Sequence, residues 1–369
     1  MFDFIIKNGT VIDGSGNKEK LCDIGIQGEK VKEIGILPKD KAKKYIDAKG
    51  KIVCPGFIDI HSHSDFTVLA DPNSESKVFQ GITTEVNGNC GVSGAPLYGK
   101  ALEKRLSTLK NLNLKLRWNT IDEYFDLIFT QKKTINFATF IGHGNVRGSV
   151  LGYENRKATK DETKDMERLL SESLKKDAWG FSSGLIYPPG IYAAKKELIA
   201  LARVASNYGG IYASHIRSEG DEIIPAVKES IEIVKKAEVP LLISHLKILH
   251  KRNWEKISEV IGIIEKGRES GLIINADCYP YNASSTELDS LLPHWCYGGG
   301  DKELFFRLKD PSTSLKIERE LNGLEDKEEN FWKNVLISGV HTEKNKYLTG
   351  RSLKSIADEL NISPPKMLI

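Results

Sequence analysis

The chain has 369 residues, 40% hydrophobic and 28% charged, with a formal net charge of +3; this is the composition of a folded globular protein too long for one minimal core. So small a charge gives no electrostatic case for a nucleic-acid or membrane-surface partner, and the Lys-rich "KDKAKK" at 39–44 reads as a solvated loop. No apolar run approaches the ~20 residues of a membrane span, and the opening "MFDFIIKNGTVIDG" has neither the basic region nor the cleavage pattern of a signal peptide.

The five cysteines, Cys22, Cys54, Cys90, Cys278 and Cys296, are odd in number and widely scattered. That pattern predicts reduced thiols in the cytoplasm, where a special cysteine is a ligand or nucleophile sooner than a bridge partner.

In chain order, residues 1–54 read as short strands joined by turns: "FDFIIKNGTVID", "CDIGIQGEKVKEIG" around a Gly-Glu turn, and "KKYIDAKGKIVCPG". They predict a small antiparallel unit. From residue 55 the pattern changes to short apolar strands separated by amphipathic, Lys/Glu-rich segments, which predicts βα units and a parallel sheet. Strand ends fall at "GFIDIHSHSD", "GITTEVNGNCG", "INFATFIGHGNVRG", "AWGFSSGL", "GIYASHIRSEG", "PLLISHLKI" and "LIINADCYPYN". Helices are expected between them, for instance over 160–176 and 221–238, where apolar positions recur at three and four.

Seven strands alternating with helices predict an α/β fold, a (β/α)8 TIM-like barrel with its last strand apparently missing, and 55–369 as that barrel domain. The placement of polar residues favours a barrel over an open doubly wound sheet. His61 and His63 share one strand end, while Cys90, His143, Ser182, His215, His245 and Asp277 each fall at the end of another strand. Barrel enzymes place their chemistry on that face, whereas an open sheet gathers it at one switch point.

Within this constellation, His61 and His63 are expected to point the same way from one strand, because side chains alternate along it. His215 and His245 each close a strand that ends in Ser-His, and Cys90 follows a Gly-rich exit. Two histidines and a cysteine suit a catalytic zinc site with an open fourth position. Such an ion would bring bound water toward neutral pKa and polarise a carbonyl, which points to hydrolysis. Taken singly, a strand-end histidine is more often a hydrogen-bonded polar residue and a lone cysteine a small buried one; their joint placement makes the metal reading the stronger. His143 suits a loop-fixing hydrogen bond at least as well, and His250, His294 and His341, away from strand ends, are assigned no role.

A rival lies in "GFSSG" at 180–184, which matches the G-x-S-x-G nucleophile elbow with Ser182 as nucleophile. The elbow needs a helix directly after it, and the "LIYPPG" that follows does not open one, so the stretch is expected to be a loop.

Taken together, "KNGTVIDGSG", "CPGFIDIHSHSD", "GITTEVNGNCG", "GFSSGLIYPPG", "SHIRSEG", "SHLK" and "DCYPYNASST" resemble the D-aminoacylase (N-acyl-D-amino-acid deacylase) branch of the amidohydrolase superfamily, from the first residues to about 295. The resemblance implies a barrel with a small β-sandwich to which residues 1–54 contribute, and zinc-dependent hydrolysis of small-molecule N-acyl-D-amino acids. It implies that Cys90, His215 and His245 hold a tightly bound zinc, with His61 and His63 helping to form a weaker second site. It places Tyr187, Lys247, Tyr279, Ser285 and Thr286 around the substrate, where a lysine and hydroxyl donors suit a carboxylate and a developing oxyanion.

One departure stands against this. The resemblance implies an eighth strand ending in a Ser-Asp-Gly-like motif whose aspartate is metal ligand and general base, and no such motif follows residue 296. The expectation is therefore a C-terminally truncated or partial sequence. Loss of that proton transfer, a contribution of about 10²–10⁴ in rate, puts the activity of the chain as it stands in question. Two alternatives stay open: a cyclic-amide hydrolase of the dihydroorotase or hydantoinase kind, and a non-catalytic zinc-binding fragment. Relatives of the first kind usually carry a bridging carboxylated lysine, and no strand-end lysine occurs in the first four strands.

Overall fold

The computed structural model describes residues 1–340 and 342–369, so His341 lies outside the described residues. The chain divides into two compact units, one of Met1–Ile58 with Glu75–Thr84 and one of Asp59–Ser74 with Glu85–Ile369.

The first unit is built on β1 (Phe2–Val11), with β2 (Lys20–Gln27), β3 (Lys30–Gly35), β4 (Ala42–Asp47) and β5 (Ile52–Val53). The order is β3-β2-β1-β4, with β5 also on β1. The expected antiparallel pairing holds for β1–β2 and β2–β3, but β4 and β5 run parallel to β1. The correction has a simple cause. After β3 the chain crosses over through Leu37-Pro38 and the 3-10 turn Lys39–Lys41, so β4 enters in the direction of β1. Asp23 is buried here and accepts from Lys7 Nζ and from the main-chain N–H groups of Asn8 and Leu37, each at 2.8 Å, which compensates its burial.

All seven strand positions expected after residue 55 are present. They are β6 (Phe57–Asp59), β7 (Ile82–Asn87), a strand broken at Phe140 into β8 (Asn136–Thr139) and β9 (Ile141–Gly142), β10 (Gly180–Gly184), β11 (Ile211–His215), β12 (Leu241–Ile243) and β13 (Ile274–Ala276). One sheet has the order β6-β7-β8 and the other runs β9 to β13 in chain order. Every pairing in the second is parallel, with Gly184 opposite His215 and Ser214 opposite Ile243. Parallel neighbours in chain order, joined by helices, are the architecture of a (β/α) barrel. "GFSSG" is therefore a strand, not the expected loop.

Side-chain parity sorts the strand residues onto two faces. Phe181, Tyr212, Leu241 and Ile243 pack with the helices in the main core. Ala213 and Leu242 turn the other way and meet Val86, Ala138 and Phe140. His215, two residues beyond Ala213, shares that inner parity.

The helices form where expected. Lys160–Leu174 starts at a capping box between Thr159 and Glu162 and buries Met166, Leu170 and Leu174, one stripe at intervals of four. Ile223–Ala237 ends at Glu238 in the left-handed region, φ 54°, a standard helix stop. After residue 287 no barrel strand follows among the described residues. Helices Asp301–Lys309, Pro311–Lys327 and Leu353–Leu360 pack around their own core of Leu304, Ile317, Leu321, Trp332, Leu353 and Ile356.

Candidate metal centre

The strand ends bring four donor atoms together. Cys90 Sγ lies 3.3 Å from Nε2 of His61 and 3.4 Å from Nε2 of His245, and that nitrogen lies 3.1 Å from Nδ1 of His215. A tetrahedral zinc ion with bonds of about 2.0–2.1 Å to nitrogen and 2.3 Å to sulfur sets its donors roughly 3.3–3.6 Å apart. The contacts of Cys90 with His61 and His245 match that spacing, and His61, Cys90 and His245 lie close enough to hold an ion, as do His215, Glu219 and His245, the two sets sharing His245.

Local backbone explains how Cys90 gets there. It sits at φ +52° between Gly88 and Gly91, both also at positive φ, a tight reversal that withdraws the chain from β7. A side chain on Gly88 would meet the Phe140 carbonyl oxygen at 2.0 Å, and one on Gly184 would meet the Cys90 carbonyl oxygen at 2.2 Å, so close backbone approach excludes larger residues. Ser182 locks the reversal: its hydroxyl donates to the Gly88 carbonyl and accepts the N–H of Gly91. The rival nucleophile is thus a fully buried clamp on the cysteine loop.

His61 and His63 reach the same region by another route than strand parity, because β6 stops at Asp59 and both lie beyond it. Their rings are 5.3 Å apart at 65°. His61 Nδ1 lies 3.2 Å from the Asp277 carboxylate, leaving Nε2 toward Cys90. Asp277 also accepts the main-chain N–H of His245 at 2.6 Å. His143 is elsewhere, fully buried with Nε2 2.8 Å from Glu197, which also binds Arg147 at 2.6 Å; it is the loop-fixing residue of the two expectations.

Electrostatics suits a cation. Burial, and then the neighbouring Asp277 and Glu219, push the Cys90 thiol up, so a thiolate there requires positive charge beside it. Burial likewise drives His215 down to about 3, which keeps its imidazole neutral, the form that binds metal. Burial raises the Glu219 carboxyl, but the hydrogen bond from His245 and the neighbouring His215 and Lys247 outweigh it and hold it at about 2.

Of the expected substrate residues, Tyr187 stacks edge-on to His215 with ring centres 5.1 Å apart, and its hydroxyl lies 3.0 Å from that of Thr286. Lys247 Nζ lies 2.5 Å from Glu219 Oε1 and 5.5 Å from the Tyr279 ring centre. Ser285 is exposed beside Thr286, and no described contact joins it to the cluster. Glu219 and Asp277 are the two site residues that sequence reasoning left without a role. Their signal was proximity, Glu219 four residues after His215 and Asp277 at a strand end.

Parallel strands in chain order, joined by helices and carrying histidine and cysteine side chains at one end, define the (β/α)-barrel class. The Amidohydrolase family model matches residues 44–260, and the chain belongs to that family, in its D-aminoacylase branch. It is 38% identical over 288 residues to an N-acyl-D-glutamate deacylase and 36% identical over 287 residues to a D-aminoacylase, both of Alcaligenes xylosoxydans xylosoxydans. Each alignment covers 78% of this chain but only 58% and 59% of the relative, so the chain spans under three-fifths of their length. A solved N-acyl-D-glutamate deacylase from Bordetella bronchiseptica, complexed with zinc and a phosphonate mimic of the tetrahedral intermediate, superposes with a TM-score of 0.83 at 30% identity, covering 100% of this chain and 69% of that one. Among the described residues no helix is long and apolar enough to cross a membrane.

Proposed function

We propose that this protein hydrolyses the amide bond of N-acyl-D-amino acids, releasing a carboxylate and a D-amino acid, with Zn²⁺ held by Cys90, His215 and His245 and a weaker second position formed with His61 and His63. The observation that carries the reading is the gathering of Cys90 Sγ, His61 Nε2 and His245 Nε2 within metal-binding distance of one another, with His215 Nδ1 3.1 Å from the His245 nitrogen. The deacylase relatives support the substrate class. A cysteine among imidazoles suits zinc better than harder ions. When bound, the ion supplies Lewis acidity, lowering the pKa of a water and polarising the scissile carbonyl.

The chain's own residues bind and orient. Asp277 holds the His61 ring and the His245 backbone. Lys247 and the hydroxyls of Tyr187, Tyr279 and Thr286 lie where donors can meet a substrate carboxylate and the oxyanion, and Ser285 joins them on resemblance. Residues 1–54 would belong to the small β-sandwich domain and 55–369 to the barrel domain.

The test uses zinc-loaded protein. Amine release from N-acetyl-D-amino acids is followed beside the L enantiomers, dihydroorotate and a hydantoin, and binding of a D-configured phosphonate analogue is measured by calorimetry. Zinc-dependent binding or turnover that prefers the D series is expected. Preference for a cyclic amide, or no zinc-dependent binding of the phosphonate and no zinc-dependent turnover, overturns the reading.

A further inference from the structure

We propose that Glu219 is a positioning residue that orients both histidine ligands and the mouth lysine from a single buried carboxylate. This rests on the metal reading above and deepens it.

Glu219 sits four residues past His215 and is 7% exposed. Its main chain is fixed by the Leu249 N–H, which donates to the Glu219 carbonyl at 2.7 Å. Oε1 lies 2.8 Å from Nδ1 of His245 and 3.6 Å from Nε2 of His215. In each ring this is the nitrogen opposite the one that faces the donor cluster: His245 uses Nε2 inward and His215 uses Nδ1 inward. The 2.8 Å contact places the proton of His245 on its outer nitrogen and the lone pair inward, which is how carboxylates commonly set metal-binding histidines, and the same carboxylate faces the outer nitrogen of His215. The outer nitrogen of His215 makes no hydrogen bond, and the Glu219 carboxylate at 3.6 Å is the acidic group that faces it.

His215, Glu219 and His245 also lie close enough to hold an ion themselves. Lys247 argues against that, because its ammonium already occupies the same oxygen at 2.5 Å and lies 3.2 Å from His245 Nδ1; a second cation there would face it directly. Glu219 thus ties Lys247 to the two ligands, so the substrate-side cation and the metal site share one anchor.

The test compares wild type, Glu219→Gln and Glu219→Ala for zinc affinity by chelator competition, for the cobalt-substituted absorption spectrum, and for the melting temperature of the metal-free protein. The expected result is zinc binding weaker by about 10–100-fold in Glu219→Ala and less in near-isosteric Glu219→Gln. The cobalt spectrum should be altered but keep its thiolate charge-transfer band, and the metal-free melting temperature of Glu219→Gln should stay unchanged. Zinc affinity within twofold of wild type in both variants overturns the role of Glu219 alone. A Glu219→Gln protein that no longer folds makes the residue structural and overturns it too. Wild type that binds no zinc overturns the metal centre and this inference with it.

Discussion

Asp277 holds His245 by its backbone: the His245 N–H donates to Oδ1 at 2.6 Å, and the Leu246 N–H donates to the Asp277 carbonyl at 2.9 Å. His245 needs that restraint because its φ is +36°, a conformation unfavourable for a residue with a side chain. Asp277→Ala removes the acceptor and is expected to destabilise the metal-free protein by about 1–3 kcal/mol, while also weakening zinc binding. Asp277→Asn keeps Oδ1 as an acceptor and should lose much less stability. Urea unfolding of the two variants with an unchanged slope checks this; equal losses would show that the backbone bond is not what matters.

Ser182 distinguishes a clamp from a nucleophile. Its hydroxyl bridges Gly88 and Gly91 around Cys90, so Ser182→Ala strands a buried N–H and carbonyl and is expected to cost about 1–3 kcal/mol. Wild type should resist labelling by fluorophosphonates, since the hydroxyl is fully buried. Stoichiometric labelling lost in Ser182→Ala would restore the nucleophile.

These two residues also show what the sequence makes legible. Apolar runs ending in polar residues locate the seven strands; of the expected ligands His215 closes its strand, while Cys90 and His245 lie two to three residues past β7 and β12, still at the end of the sheet where a parallel barrel gathers its chemistry. Directions taken by loops are not encoded in spacing. His61 and His63 lie past the end of β6, so their nearness comes from the loop and from Asp277, which strand alternation does not describe. Asp277, and Glu219 in its contacts with His245 and Lys247, act between segments distant in sequence, where no period exists to read. The parallel entry of β4 depends on a crossover of a few residues, and the helices after 287 form a core of their own that strand counting does not foresee.

Asp221 links the segment after β11 to the segment after β12. Arg252 donates to both its oxygens at 2.9 and 3.1 Å and Asn253 to one of them at 2.9 Å. The Arg252 bond first, then that of Asn253, lowers its carboxyl from the ordinary 3.8 to about 2. Between those values the unfolded chain binds more protons than the folded one, so the contribution is complete above about pH 4 and is lost as pH falls through about 2. The pair is largely exposed, which discounts it to about 0.5–1 kcal/mol. Asp221→Asn should show that deficit at pH 7 in urea titrations, with the gap to wild type narrowing steadily from pH 4 to pH 2.5. A gap that is constant across this range would mean that the charge of Asp221 contributes nothing.

Cys90 is the decisive ligand because it is the one donor that a solvated, metal-free pocket would not keep as an anion. Zinc that binds only the folded state stabilises it by about 2.7 kcal/mol at a hundredfold excess over Kd. Added zinc should therefore raise the unfolding midpoint of wild type, and purified protein should retain about one equivalent. Cys90→Ala removes the sulfur that faces both His61 and His245 without introducing charge. Its zinc content and its zinc-dependent shift should both fall close to zero, while its metal-free midpoint changes little, since the lost side chain is small. Full retention of zinc by Cys90→Ala would place the ion on His215, Glu219 and His245 instead, and would require Lys247 to give up its contact with Glu219.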